Sequence, residues 1–276
     1  MSTTEPSPEQ RKAAVAGVFD RAAATYDQVR VEFFGPAGEL LVRRTAPTPG
    51  ERVLDVGCGR GASALPAARL VGPAGAVTAT DLAPAMVEAV RRQAADLPWL
   101  TAELGDAEQP PPGPFDVVQG GLVMFFLPDF AGALDRYRAV LVPGGRLGFT
   151  WFGPPDPRWE PVFEALGSVL PADQRPPRRP GTDGAFASPQ SMADVLGERG
   201  WHDVDTSDTE IVVRVRDADH WFAWSWSQGY RTMLERIEAH GALEEARARV
   251  EPLLERLADD GGLEWRALIR CTLARS

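Results

Sequence analysis

The 276 residues of the chain leave room for one large α/β domain with an inserted lid, and 44% hydrophobic with 25% charged residues is ordinary globular composition. No apolar run approaches the roughly 20 residues that a bilayer span requires. A formal charge of −10 repels phosphodiester backbones, so neither a membrane nor a nucleic acid is expected as a partner.

The polar N-terminus carries no basic, apolar leader, which predicts a cytoplasmic protein. Cys58 and Cys271 supply neither a disulfide framework nor a zinc pattern, and no metal is expected. Lys12, the single lysine beside twenty-eight arginines, reads as compositional bias. Residues 11–27 favour helix, with Val15, Val18 and Phe19 at helical spacing, and a second helix is expected over 34–44, stopping before Pro47 and Pro49. From residue 52 strands and helices alternate: strands over 52–56, 76–80, 100–104, 115–118 and 145–151, helices over 62–70, 84–95 and 130–140. Such alternation predicts a parallel sheet. The Pro-, Gly- and Arg-rich stretch 152–188, including Pro176-Pro177-Arg178-Arg179-Pro180-Gly181, is expected to be a long connection. A helix over 188–199, a strand region over 202–215, helices within 219–257 and a last strand over 263–274 follow.

Chemistry concentrates where Val53-Leu54-Asp55-Val56 runs into Gly57-Cys58-Gly59-Arg60-Gly61. A strand entering a glycine-rich turn before a helix lets backbone N–H groups approach a nucleotide-like ligand. The same residues, with Ala62 and with Asp81 downstream, also satisfy a dinucleotide fingerprint. Asp81 ends the second strand, where a carboxylate can accept from both hydroxyls of a ribose. Met86 can lie against an adenine ring, Asp106 can accept from its amino group, and Gln119-Gly120-Gly121 leaves space for the rest of the ligand.

In order and spacing these segments, over roughly residues 18–149, resemble class I S-adenosylmethionine-dependent methyltransferases of the ubiquinone/menaquinone-biosynthesis type and their natural-product relatives. The resemblance implies a Rossmann-like seven-stranded α/β sheet, its last strands antiparallel, with helices on both faces, N-terminal cap helices (1–45), a donor-binding core (46–152), a linker with a helix and the sixth strand (153–216), a helical lid (217–262) and a final strand (263–276). By resemblance Asp55, Gly57, Cys58, Gly59 and Gly61 surround the amino-acid end of the donor, Asp81, Leu82 and Met86 hold ribose and adenine, Asp106 and Ala107 read the adenine edge, and Tyr26 closes over the donor. The serine common in the family is replaced by Ala83, which removes a helix cap.

The expected activity is methyl transfer to oxygen or carbon of a small molecule, with S-adenosylhomocysteine as product. No general base is identified; Tyr26 and Arg231 stand as catalytic candidates, and His202, His220 and His240 are expected at the surface. Phe34, Phe126 and Trp151 are expected to line the acceptor pocket. If 219–239 forms one helix, Phe222, Trp226, Tyr230, Met233 and Ile237 pack on the body while Trp221, Trp224, Gln228 and Arg231 either roof that pocket or pack under the helix over 243–257. Two other readings stay open: an S-adenosyl-binding protein with a non-methyl activity, and an NAD-dependent oxidoreductase, which the single Lys12 makes hard to equip with a Tyr/Lys pair. Nothing in the sequence sets an oligomeric state.

Overall fold

The computed structural model describes residues 6–175, 183–259 and 261–276; the expected connection through Pro176–Gly181 lies outside the described residues. Helix α1 (Pro8–Ala22) starts on a capping box, the Ser7 hydroxyl accepting from Gln10 N and the Gln10 side chain accepting from Ser7 N. It ends before the 23–27 segment, which forms turns rather than the expected continuation. Helix α2 (Phe34–Thr45) stops on Ala46 in the left-handed conformation.

The alternating segment follows as β1 (Arg52–Val56), α3 (Ala64–Val71), β2 (Ala76–Asp81), α4 (Pro84–Gln93), β3 (Leu100–Leu104), β4 (Phe115–Gly121), α5 (Phe130–Val140) and β5 (Leu141–Phe152). Beyond it lie α6 (Glu160–Ser168), α7 (Pro189–Glu198), β6 (His202–Val215), α8 (Ala218–Trp226), α9 (Arg231–Ala239), α10 (Leu243–Leu257) and β7 (Leu263–Arg275). The strands make one sheet in the order β3-β2-β1-β4-β5-β7-β6, parallel from β3 to β5 and antiparallel at β7 and β6. This is the expected seven-stranded sheet. Val53, Leu54 and Val56 of β1 are fully buried, as a central parallel strand covered on both faces requires.

Helices α2, α3 and α4 pack on one face, with Val53, Val77, Ala79 and Val117 beneath them; α5 and α7 cover Leu54, Val118, Leu147, Phe149 and Trp151 on the other. The missing serine cap at Ala83 is made good by the neighbouring helix: Asp20 Oδ1 of α1 accepts the Ala85 N–H at 2.9 Å.

Two expectations are corrected. The connection over 152–188 contains α6, which turns Val162 and Leu166 into the core. The supposed helix 219–239 is two, because the chain turns at Ser227–Tyr230: Ser227 N closes on Trp224 O and Arg231 N on Gln228 O. Its two faces are therefore rotated against each other, and one lengthwise stripe does not exist.

Candidate active site

The glycine-rich turn leaves β1 beside the end of β2. Gly57 has φ +61°, and a Cβ there would stand 2.3 Å from Val123 Cγ2, so no side chain fits. Gly59, at φ +51°, meets nothing within 4 Å on its Cβ side, which opens into the cleft above the sheet. Asp81 fixes the turn: Oδ2 accepts the Gly59 N–H and Oδ1 the Ala83 N–H, each at 2.9 Å. Burial raises Asp81 above the usual carboxylate range, and these backbone donors oppose the shift. One lone pair on each oxygen is left for a diol.

Asp55 and Gln119 face each other across β1 and β4 in register. Both are fully buried; Gln119 Nε2 donates to Asp55 Oδ2 at 2.7 Å, and Gln119 Oε1 lies 3.0 Å from the Thr45 hydroxyl. Gln119 thus holds Asp55 from behind, whereas it was expected in the donor pocket itself. Asp55 Oδ1 is buried without a partner. Burial pushes the Asp55 carboxyl up to about 6, against the pull of Ser63 and Gln119.

After β3, where adenine is expected, Asp106 Oδ2 takes a bond from Lys12 Nζ at 2.6 Å and Oδ1 accepts the Glu108 N–H at 2.9 Å; Lys12 also pairs with Glu108. Ala107 is buried, its carbonyl accepting from the Tyr137 hydroxyl at 2.6 Å. Leu82 is 37% exposed at the cleft edge, while Met86 is buried with Ala23, Tyr26 and Ala83. Cys58 is buried beside Asp81 and Asp55, which with burial pushes its thiol well up and leaves it inert.

The Tyr26 ring stacks on Phe34 with centroids 4.3 Å apart. Burial, and then the charges of Asp27 and Asp81, hold its hydroxyl far above the ordinary tyrosine range, so it can donate a proton in a hydrogen bond but cannot abstract one. Phe126 meets Phe19 edge-on at 5.7 Å. Of the expected acceptor residues, Trp151 faces away: it belongs to the α5–α7 side, 5.8 Å from Phe186, with its Nε1 on the Thr272 hydroxyl. Phe152, next along β5, points to the cleft side and lies parallel to Phe33 at 6.2 Å. Trp221 packs between Trp159 and Phe222 in the core. Arg231 is spoken for, bonded to Glu235 Oε1 at 2.8 Å and lying over the Trp226 ring, while Glu235 also holds Arg21 of α1. Trp224 is buried against Phe33 and Trp265, and Gln228 is buried in the turn that ends α8.

His220 is buried rather than at the surface. Its Nδ1 accepts the Arg216 N–H at 3.1 Å, so Nε2 carries the proton that it gives to Val29 O at 2.6 Å, tying α8 to the 27–33 segment. Lys12, Phe19, Thr45, His220 and Trp265 were not found as site neighbours from sequence; all five reach the site through tertiary packing that no local motif encodes.

A family model described as a methyltransferase domain matches residues 53–145. Nocamycin O-methyltransferase of Saccharothrix syringae is 37% identical over 235 residues, 80% of this chain and 84% of that protein. The chain belongs to the S-adenosylmethionine-dependent methyltransferases. Aklanonic acid methyltransferase of a Streptomyces species is 45% identical over 158 residues, 56% of this methyltransferase and 68% of the relative. The fold is shared with a Haemonchus contortus phosphoethanolamine N-methyltransferase solved with S-adenosylhomocysteine, at a TM-score of 0.57 and 17% identity over 98% of the methyltransferase and 60% of that chain. The residues present fit the donor: a glycine backbone open to the cleft at Gly59, a carboxylate with free lone pairs at Asp81, and a buried unpartnered oxygen on Asp55.

Proposed function

We propose that this methyltransferase O-methylates a planar, largely apolar natural product in the cytosol, without a metal. The observation that carries the reading is the 37% identity to a natural-product O-methyltransferase along most of both chains. The aromatic wall of Tyr26, Phe33, Phe34, Phe126, Phe152 and Trp224 supports a flat acceptor. No helix among the described residues is long and apolar enough to cross a membrane, and none of their His, Cys, Asp and Glu side chains group as a metal site.

When bound, the donor supplies a methyl group already activated by a sulfonium. The protein's own task is orientation and exclusion of water, which can supply about 7–11 kcal/mol. Asp81 and the Gly57–Gly61 backbone hold the ribose and amino-acid ends, with Cys58, Leu82, Met86 and Ala107 walling the donor. Asp55, braced by Gln119, takes the donor's cationic amino group at Oδ1. Tyr26 and Phe34 close over the methyl group and offer aromatic faces to the positive sulfur.

The test is S-adenosylhomocysteine release, with product mass, across phenol, enolised diketone and carboxylic acid panels, each with and without excess EDTA. A product gaining one methyl on oxygen, at equal rates in both conditions, is expected. Methylation of carbon or nitrogen, or rates abolished by EDTA, overturns the corresponding part; donor binding with no methylated product from any panel favours a non-methyl activity.

A further inference from the structure

The turn between α8 and α9 and the start of β7 carry two buried N–H groups that find no acceptor among the described residues. Gln228 is 7% exposed and its Nε2 has no partner; Trp265 is 6% exposed and neither has its Nε1. The amide of Gln228 cannot be reversed to remove the problem. Its Oε1 accepts the Tyr230 N–H at 3.1 Å, and a flip would set donor against donor. Buried polar groups are nearly always satisfied, so two orphaned donors in one neighbourhood point to a missing acceptor atom.

Their place in the fold says where that atom comes from. Ile269 of β7 pairs with Phe152, the last residue of β5, so Trp265, four residues earlier on β7, lies beyond the carboxyl end of β5. Its ring lies 5.7 Å from Phe33 and 5.5 Å from Trp224, and Phe33 leads through Phe34 to Tyr26. Gln228 lies four residues after Trp224, in the turn that ends α8, and a side chain added at the next residue, Gly229, would stand 4.0 Å from Phe19, itself 6.2 Å from Tyr26. Both donors therefore adjoin the buried aromatic cluster around Phe33 and Trp224 that is proposed as the wall of the acceptor site.

The charges nearby are already committed: Arg231 to Glu235, Arg60 to the Ala23 carbonyl, Lys12 to Asp106 and Glu108. A buried carboxylate would find no cation here, whereas a neutral carbonyl oxygen needs only N–H donors. We propose that Gln228 Nε2 and Trp265 Nε1 donate to ring carbonyl oxygens of the acceptor, so that the enzyme selects planar, oxo-substituted aromatic substrates. This rests on reading the cleft as the acceptor site. Both donors are covered, so the acceptor reaches them as the α8–α9 turn lifts.

The test uses two uncharged probes with one fused-ring skeleton, hydroxymethylanthraquinone and hydroxymethylanthracene, titrated calorimetrically into the full chain saturated with S-adenosylhomocysteine. Wild type should bind the quinone at least about tenfold tighter. Gln228→Leu and Trp265→Phe should each erase about five- to tenfold of that preference, leave the anthracene and S-adenosylhomocysteine affinities unchanged, and not lower Tm. Equal binding of the two probes by wild type, binding of neither, or a variant that weakens both alike overturns the proposal. Failure to bind S-adenosylhomocysteine would instead strike the methyltransferase assignment, which the two probes do not address.

Discussion

Asp55 is a carboxylate buried with no cation in contact; Gln119 and Ser63 favour its charge, and burial and Asp81 oppose it. The protein keeps it ionised at a cost to its own stability. Its folded pKa of about 6 lies above the unfolded value of roughly 3.9, so between those two values the native state binds more protons than the unfolded chain. Stability then falls as pH rises through that window, and a penalty on the order of 3 kcal/mol stands in full above it. The predicted outcome for Asp55→Asn is a higher Tm than wild type near pH 7.5 in the absence of donor, a gap that narrows toward pH 4.5, and weaker S-adenosylhomocysteine binding, since the unpartnered Oδ1 is what would meet the donor's amino group. Thermal melts across that range decide it. A gap that does not change with pH would show that Asp55 is neutral in the fold.

Helix α1 makes its one charged contact near Asp106 through Lys12. Lys12 spans from α1 to Asp106 and Glu108 beyond β3, Asp20 caps α4, and the Arg60 guanidinium returns to Ala23 O at 2.7 Å, so the cap helix is pinned in its first half and at its C-terminal end. Removing the cation leaves two carboxylates facing each other over the adenine end. Lys12→Met should raise the S-adenosylhomocysteine Kd about tenfold, as losing a hydrogen bond between charged groups implies, and should speed hydrogen exchange over residues 8–22. Tighter binding would mean instead that Lys12 competes with adenine for Asp106. The lone lysine was visible in the sequence but its partners were not, because they lie ninety-four residues away. Elements with local signals were legible: β1 to β4 as apolar runs bounded by turns, α5 by its period, and the glycine turn by its spacing. Trp151 was misplaced because β5 is buried on both faces, so its alternation does not say which side chain meets the cleft. Helix α6 was hidden by prolines on either side of a short segment, and the break at Ser227–Tyr230 by aromatic residues that keep helical spacing through it.

At the scale of the whole molecule the helical lid is an insertion between neighbouring strands. Val215 and Leu263 are paired in register, so α8 to α10 leave the sheet and return to it at one point. Such an insertion could melt alone if it had a core of its own. It does not: Trp221, Trp224, Leu234, Ile237, Val250 and Leu254 share one buried cluster with Leu41 of α2, Leu166 of α6, and Ile211 and Ile269 of the sheet. Unfolding the lid would strip the α2 face of the sheet, next to the glycine turn proposed to hold the donor, and the apolar area lost there couples the two parts. Lid and core should therefore unfold in a single transition despite the chain's length. S-Adenosylhomocysteine at a hundred times its Kd stabilises the native state by about 2.7 kcal/mol. For a chain of this size that should move the one calorimetric transition up by about 5–10 °C, with Trp fluorescence, to which α8 contributes three of the eight tryptophans, moving in step. Two transitions, of which only one responds to the ligand, would mean that the lid folds apart from the donor site, and the shared cluster would then contribute packing without cooperativity.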